Sequence, residues 1–103
     1  MKEQEYKEML FLFNRYYGKN MIIYWPNGLK VKCNAFHGMA EDIAEPGDED
    51  YIGGFYTLVN DVKILEKGKD DSILIENDMI EISLIYLPER IELEDGTLLW
   101  EKP

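Results

Sequence analysis

The chain has 103 residues, 21 Asp and Glu against 11 Lys and Arg, and a formal net charge of −10 at neutral pH. A surface of that sign repels phosphate backbones and acidic membranes, so neither nucleic acid nor a membrane is an expected partner. Length sets one domain, 1–103, burying roughly 60–65% of its unfolded surface, and the single cysteine, the absence of an apolar leader and of any apolar run near 20 residues point to a cytoplasmic protein without disulfides.

Residues 3–17 read as a helix. Tyr6, Met9, Leu10, Phe13, Tyr16 and Tyr17 recur at helical spacing and form one apolar face. Glu3, Glu5 and Glu8 suit the positive end of the helix dipole, Arg15 and Lys19 the negative end, and Gly18 a left-handed stop. Phe11 and Leu12 fall off the main face, so the helix carries more apolar surface than one core contact needs.

Strand patterns follow. Met21–Trp25 is apolar on both faces, as in a strand covered from two sides. Asn27-Gly28 predicts a two-residue type I′ turn with positive φ at both residues. Leu29, Val31, Cys33 and Ala35 then alternate with Lys30, Lys32 and Asn34, a half-buried strand. Gly38–Asp50, broken by Pro46-Gly47, reads as an exposed acidic loop with one helical turn around Ala40–Ala44. Gly53-Gly54 predicts a bulge entering the strand Phe55–Val59, which Val62–Leu65 continues.

Gly68 to Asp71 is a turn, and Ser72–Glu76 and Met79–Leu87 are predicted strands around Asn77-Asp78. Ile91 and Leu93 alternate with Glu92 and Glu94, Asp95-Gly96 predicts a second type I′ turn, and Thr97–Trp100 returns. The expected fold is mainly β: a small antiparallel barrel or roll over 21–100 with one N-terminal α-helix packed on an end or open edge.

The order of helix, hairpin with an Asn-Gly turn, further strands and then Ile75-Glu76-Asn77-Asp78-Met79-Ile80-Glu81-Ile82 resembles the Sm-like small β-barrel, and an SH3-like barrel describes it equally well. Ile75, Ile80 and Ile82 suit the family's aliphatic positions, while Glu76 and Asn77 stand where Arg and Gly are expected. The resemblance implies a barrel with an N-terminal helix. Its RNA function would require Arg15, Lys19, Lys30 and Lys32 to gather in one place.

No catalytic, cofactor or metal site is expected. In a calcium-loop frame starting at Asp48, Asp50 and Gly53 fit, but Ile52 and Val59 fall at ligand positions and cannot ligate. His37 is the only histidine, and Cys33 sits on the apolar parity of its strand as a buried, inert thiol. The Gly53-Gly54 run lacks the Lys and Ser/Thr of a phosphate loop.

Between Lys32 and Lys63 there is no Lys or Arg, and the acids Glu41, Asp42, Glu45, Asp48, Glu49 and Asp50 form a candidate acidic face. A second such stretch, from Lys69 to Arg90, holds Asp70, Asp71, Glu76, Asp78, Glu81 and Glu89. Phe11, Leu12, Ile85 and Leu87 are the candidate apolar partner surface. These features predict a non-enzymatic acidic module that binds a protein with a basic or apolar surface, or a second copy of itself. One alternative is a nucleic-acid mimic that blocks a basic nucleic-acid-binding protein. Another is an Sm-like RNA binder.

Overall fold

A computed structural model describes residues 2–51 and 53–103; Ile52, which entered the calcium-loop frame, lies outside them. Helix α1, Glu3–Arg15, comes first, followed by β1 Asn20–Tyr24, β2 Lys30–Ala35, β3 Ala40–Glu41, β4 Phe55–Glu66, β5 Ile80–Ile82, β6 Arg90–Leu93 and β7 Leu98–Glu101. The fold is mainly β, as expected: one antiparallel sheet, ordered β3-β4-β2-β1-β6-β7 with β5 also paired to β4, curls into a half-barrel that α1 packs against.

Tyr6, Met9, Leu10 and Phe13 are the buried face of α1, matching the periodicity. The helix ends two residues sooner than predicted, so Tyr16 is half-buried and Tyr17 exposed. Gly18, at φ +79°, reverses the chain, and its N–H bonds Ala35 O, which draws the connection onto the end of β2. The Tyr6 hydroxyl donates to Phe55 O at the start of β4. At the other end, Asn14 Oδ1 accepts Met39 N–H at 2.6 Å.

Met21 and Ile23 on β1 and Val31, Cys33 and Ala35 on β2 face the core with Val59, Ile80, Ile82, Ile91 and Trp25. β1 is buried on one face only, because Ile22 and Tyr24 are half-buried on the other. That outer face carries a network in which Glu92 accepts from Tyr24 Oη at 3.1 Å and Arg90 Nε at 2.6 Å.

The Asn27-Gly28 turn is not type I′. A two-residue loop would need Pro26 to donate to Leu29, and proline has no N–H. The closing pair moves out to Trp25, whose N–H bonds Leu29 O at 2.9 Å, and Gly28 N–H bonds Trp25 O at 3.0 Å. Only Gly28 has positive φ, +92°. The result is a three-residue loop, a type I turn followed by a left-handed bulge glycine. The Asp95-Gly96 turn is corrected in the same way: Leu93 pairs with Thr97, and only Gly96 has positive φ. Glu94 is thereby freed from the ladder, and its carboxylate lies 2.6 Å from Lys32 Nζ.

Type I′ geometry occurs instead at Asn77-Asp78. Both residues have positive φ, 53° and 57°, and Glu76 and Met79 exchange backbone hydrogen bonds across them. The strands predicted to flank this turn are short. Ser72–Glu76 contributes one bridge, Glu76 to Met79, and Met79–Leu87 only Ile80–Ile82. Buried Ser83 ends β5, because its hydroxyl bonds Glu81 Oε2 at 2.7 Å and accepts Tyr86 N–H at 3.3 Å, which bends the chain. With the strand cut short, Leu84 is exposed and Tyr86 half-buried.

β4 runs the full predicted length, interrupted by Asp61 at φ 51° and register shifts against β2 that bend it. At its start Gly53 and Gly54 both have positive φ, and a Cβ on Gly53 would stand 2.9 Å from Leu84 Cβ. The helical turn expected at Ala40–Ala44 is absent, since Ala40 and Glu41 pair with Tyr56 and Phe55 as β3.

Candidate partner-binding surface

The acidic segment after β3 is an ordered loop. Asp42 N–H bonds Gly54 O at 2.9 Å, Asp48 N–H bonds Glu45 O at 3.0 Å, and Glu45 N–H bonds Asp48 Oδ2 at 2.9 Å. Glu41, Glu45, Asp48, Glu49 and Asp50 are exposed and Asp42 is half-buried. Ile43 projects between them, 99% exposed.

The two acidic stretches meet over β4 and β5. Leu58 and Glu81 are register partners, on the opposite face of the sheet from buried Val59, Ile80 and Ile82. They help line an open groove of about 490 Å³. Glu49 and Asp50 of the acidic loop border it, as do Leu74, Glu76 and Met79 around the type I′ turn and Ile85 and Tyr86 after Ser83. Four carboxylates thus line the groove, Glu81 on its floor beside Leu58 and Glu49, Asp50 and Glu76 at its border, and no Lys or Arg lines it.

Phe11 and Leu12 line a different groove, about 650 Å³, with Leu99 and Trp100 of β7 and with Glu8 and Arg15. Phe11 is 48% exposed, while Leu12 packs partly against the core. Ile85, 55% exposed, belongs to the acidic groove, and Leu87 packs partly against the core. The four apolar candidates therefore divide between two grooves and the core margin.

Leu58, Leu74, Leu99 and Ile43 escaped the sequence reading. Leu58 was findable, as an aliphatic residue on the outer parity of a strand whose Thr57 and Val59 are buried. Ile43 and Leu74 lie in loops, where no periodicity marks direction.

Several cations are already engaged. Lys32 pairs with Glu94, Arg90 with Glu92 and Glu101, and Lys7 with Glu3, while Lys30 Nζ lies 5.2 Å from the Tyr24 ring centre. Cys33 is buried, and desolvation pushes its thiol up to about 12, which suppresses the thiolate a nucleophile requires. His37 is exposed, its Nδ1 3.0 Å from Gly38 O and its ring stacked on Tyr56. Among the described residues, no three His, Cys, Asp or Glu side chains are grouped to hold a metal ion, and no helix is long and apolar enough to cross a membrane.

No curated protein and no solved structure matches the chain. A family model described as cognate immunity protein YxxD matches residues 4–103, nearly the whole length. An acidic domain with a carboxylate-rimmed apolar groove therefore belongs to the YxxD family of cognate immunity proteins.

Proposed function

We propose that the chain neutralises a cognate toxin by stoichiometric, non-covalent binding in the cytoplasm, catalysing no reaction of its own and laying acidic surface against basic surface on the toxin. The observation that carries this reading is the meeting of both acidic stretches at one groove in a member of an immunity-protein family. Carboxylates placed together steer a cationic partner and reject anionic ones, while apolar contact supplies most of the binding free energy.

The test begins with capture of the toxin from native lysate on the immobilised chain, its identification by mass spectrometry and its purification. Equimolar chain should abolish the toxin's activity, and association should slow as salt rises from about 0.05 to 0.5 M. Inhibition far below equimolar ratio, or no inhibition of any captured protein, overturns the proposal.

The same four carboxylates favour a second, narrower reading, in which they stand in for phosphates on a toxin that itself binds nucleic acid. An oligonucleotide would then compete with the chain for the purified toxin, and a toxin indifferent to oligonucleotide removes this reading alone.

A further inference from the structure

The geometry points to the groove over β4 and β5 as the dock for one cationic segment of the toxin, with an apolar anchor side chain seated on Leu58, Leu74 and Ile85 and flanking Lys or Arg residues reaching Glu49, Asp50 and Glu76. The inference rests on the proposed immunity function and names the site that performs it.

Three observations select this groove. Its floor is the outer face of a sheet whose other face is the core, so Leu58 is held by the β4–β5 ladder in a fixed position. Its walls come from the acidic loop, the type I′ turn and the bend at Ser83, each closed by its own hydrogen bonds. The site is thus formed before a partner arrives, which lowers the cost of ordering on binding. Its charge is of one sign. The groove between α1 and β7 is larger, but Arg15 and Glu8 both line it, so it offers no comparable preference for a cation.

An apolar floor inside a polar rim is the usual anatomy of a binding hot spot. Here the rim sets the occupant. An anionic or neutral segment would leave four carboxylates facing it without counter-charge, and a second copy of this chain would bring another net charge of −10 to the same place.

The probe is the purified toxin identified above, titrated calorimetrically against variants of the full chain. Leu74→Asp and Ile85→Asp alter exposed side chains, so their melting temperatures should match the wild type. Affinity should fall at least tenfold in each, and Ile85→Ser should give a smaller loss of the same sign. Glu49→Lys and Glu76→Lys should slow association several-fold at low salt and converge on the wild-type rate at high salt. Phe11→Asp, in the other groove, should bind within twofold of wild type. If the wild type neutralises the toxin while the Leu74 and Ile85 variants bind unchanged, the groove assignment is wrong and the immunity reading stands. Loss of binding in Phe11→Asp alone moves the dock to α1 and β7. Self-association that Ile85→Asp abolishes assigns the groove to a second copy instead. A wild-type chain that neutralises no purified toxin overturns both readings.

Discussion

The side-chain amide of Asn27 lies so close to Gly68 that a Cβ on Gly68 would stand 2.6 Å from Asn27 Nδ2. The same amide accepts Leu29 N–H at 3.0 Å and donates to Asp70 Oδ1 at 3.1 Å, and Asn27 O accepts Lys69 N–H at 2.8 Å. One residue joins the first hairpin loop to the turn that follows β4. Asn27→Ala should lower stability by about 1–2 kcal/mol, the worth of one or two such bonds, read as a shift in urea midpoint.

That substitution should also change the acid limb. Hydrogen bonds from Ser72 and then Asn27 hold the Asp70 carboxyl below the usual carboxylate range. Because the folded value is lowered, the associated stability is present above the ordinary value near about 4 and is lost as pH falls through the lowered one. Ser72→Ala, removing the larger cause, should raise the Asp70 titration midpoint in carbonyl-detected NMR more than Asn27→Ala does. Equal midpoints in all three proteins would show that these bonds do not persist in solution.

Gly28 and Gly96 hold the left-handed position of their hairpins at φ +92°, and a Cβ on either would meet nothing within 4 Å. Alanine at each should cost about 1–2 kcal/mol through backbone conformation alone. D-alanine, introduced by chemical synthesis, should recover the loss, and equal melting temperatures for the L and D forms would contradict the turn geometry.

Phe13 is fully buried on the core face of α1, whereas Phe11 stands half in solvent. Phe13→Ala should cost about 3–5 kcal/mol. Phe11→Ala should stay within about 0.5 kcal/mol of wild type. Comparable losses at both positions would mean that the helix packs in a different rotation.

At high pH the buried Cys33 and Tyr6 govern the outcome. Burial raises both acids, Cys33 to about 12 and Tyr6 well above the usual phenol value. A raised folded value means the neutral form is kept on folding, so this stability is complete below the unfolded value and is lost as pH climbs towards the folded one. Between about pH 9 and 12, stability should fall with a slope of up to about 1.4 kcal/mol per pH unit from Cys33. Cys33→Ala should flatten that slope whatever its cost at neutral pH, and an unchanged slope would place the thiol in contact with water.

The helix and the first hairpin were legible because their burial follows regular periods. Tyr6, Met9, Leu10 and Phe13 recur at helical spacing, and Leu29, Val31, Cys33 and Ala35 alternate. Turn type was harder to read, since it depends on one missing donor at Pro26 and on tolerance of positive φ at Asn77 and Asp78 without a glycine. The end of β5 was hidden for a similar reason. The apolar run Ile82 to Leu87 favours a strand by pattern, but the Ser83 hydroxyl offers the chain a local bond and the strand stops. The grooves were the least legible feature, because each collects residues far apart in sequence: Glu49 with Glu76, and Phe11 with Trp100. Composition announced the charge, and the placement of the acidic loop against the type I′ turn decides which acids become neighbours.

Among the described residues, the loop bearing Glu41 to Asp50 is fastened mainly through main-chain atoms, with the Asp48 carboxylate accepting Glu45 N–H in its turn. The side chains of Glu41, Ile43, Glu45 and Glu49 point into water, and the bonds that shape the loop do not use them. Drift at those positions leaves the core untouched, so selection can act on them for recognition with little interference from stability. Under the proposed function, a lineage confronted with an altered toxin therefore has room to adapt by single substitutions in this loop, without waiting for compensating changes elsewhere in the domain.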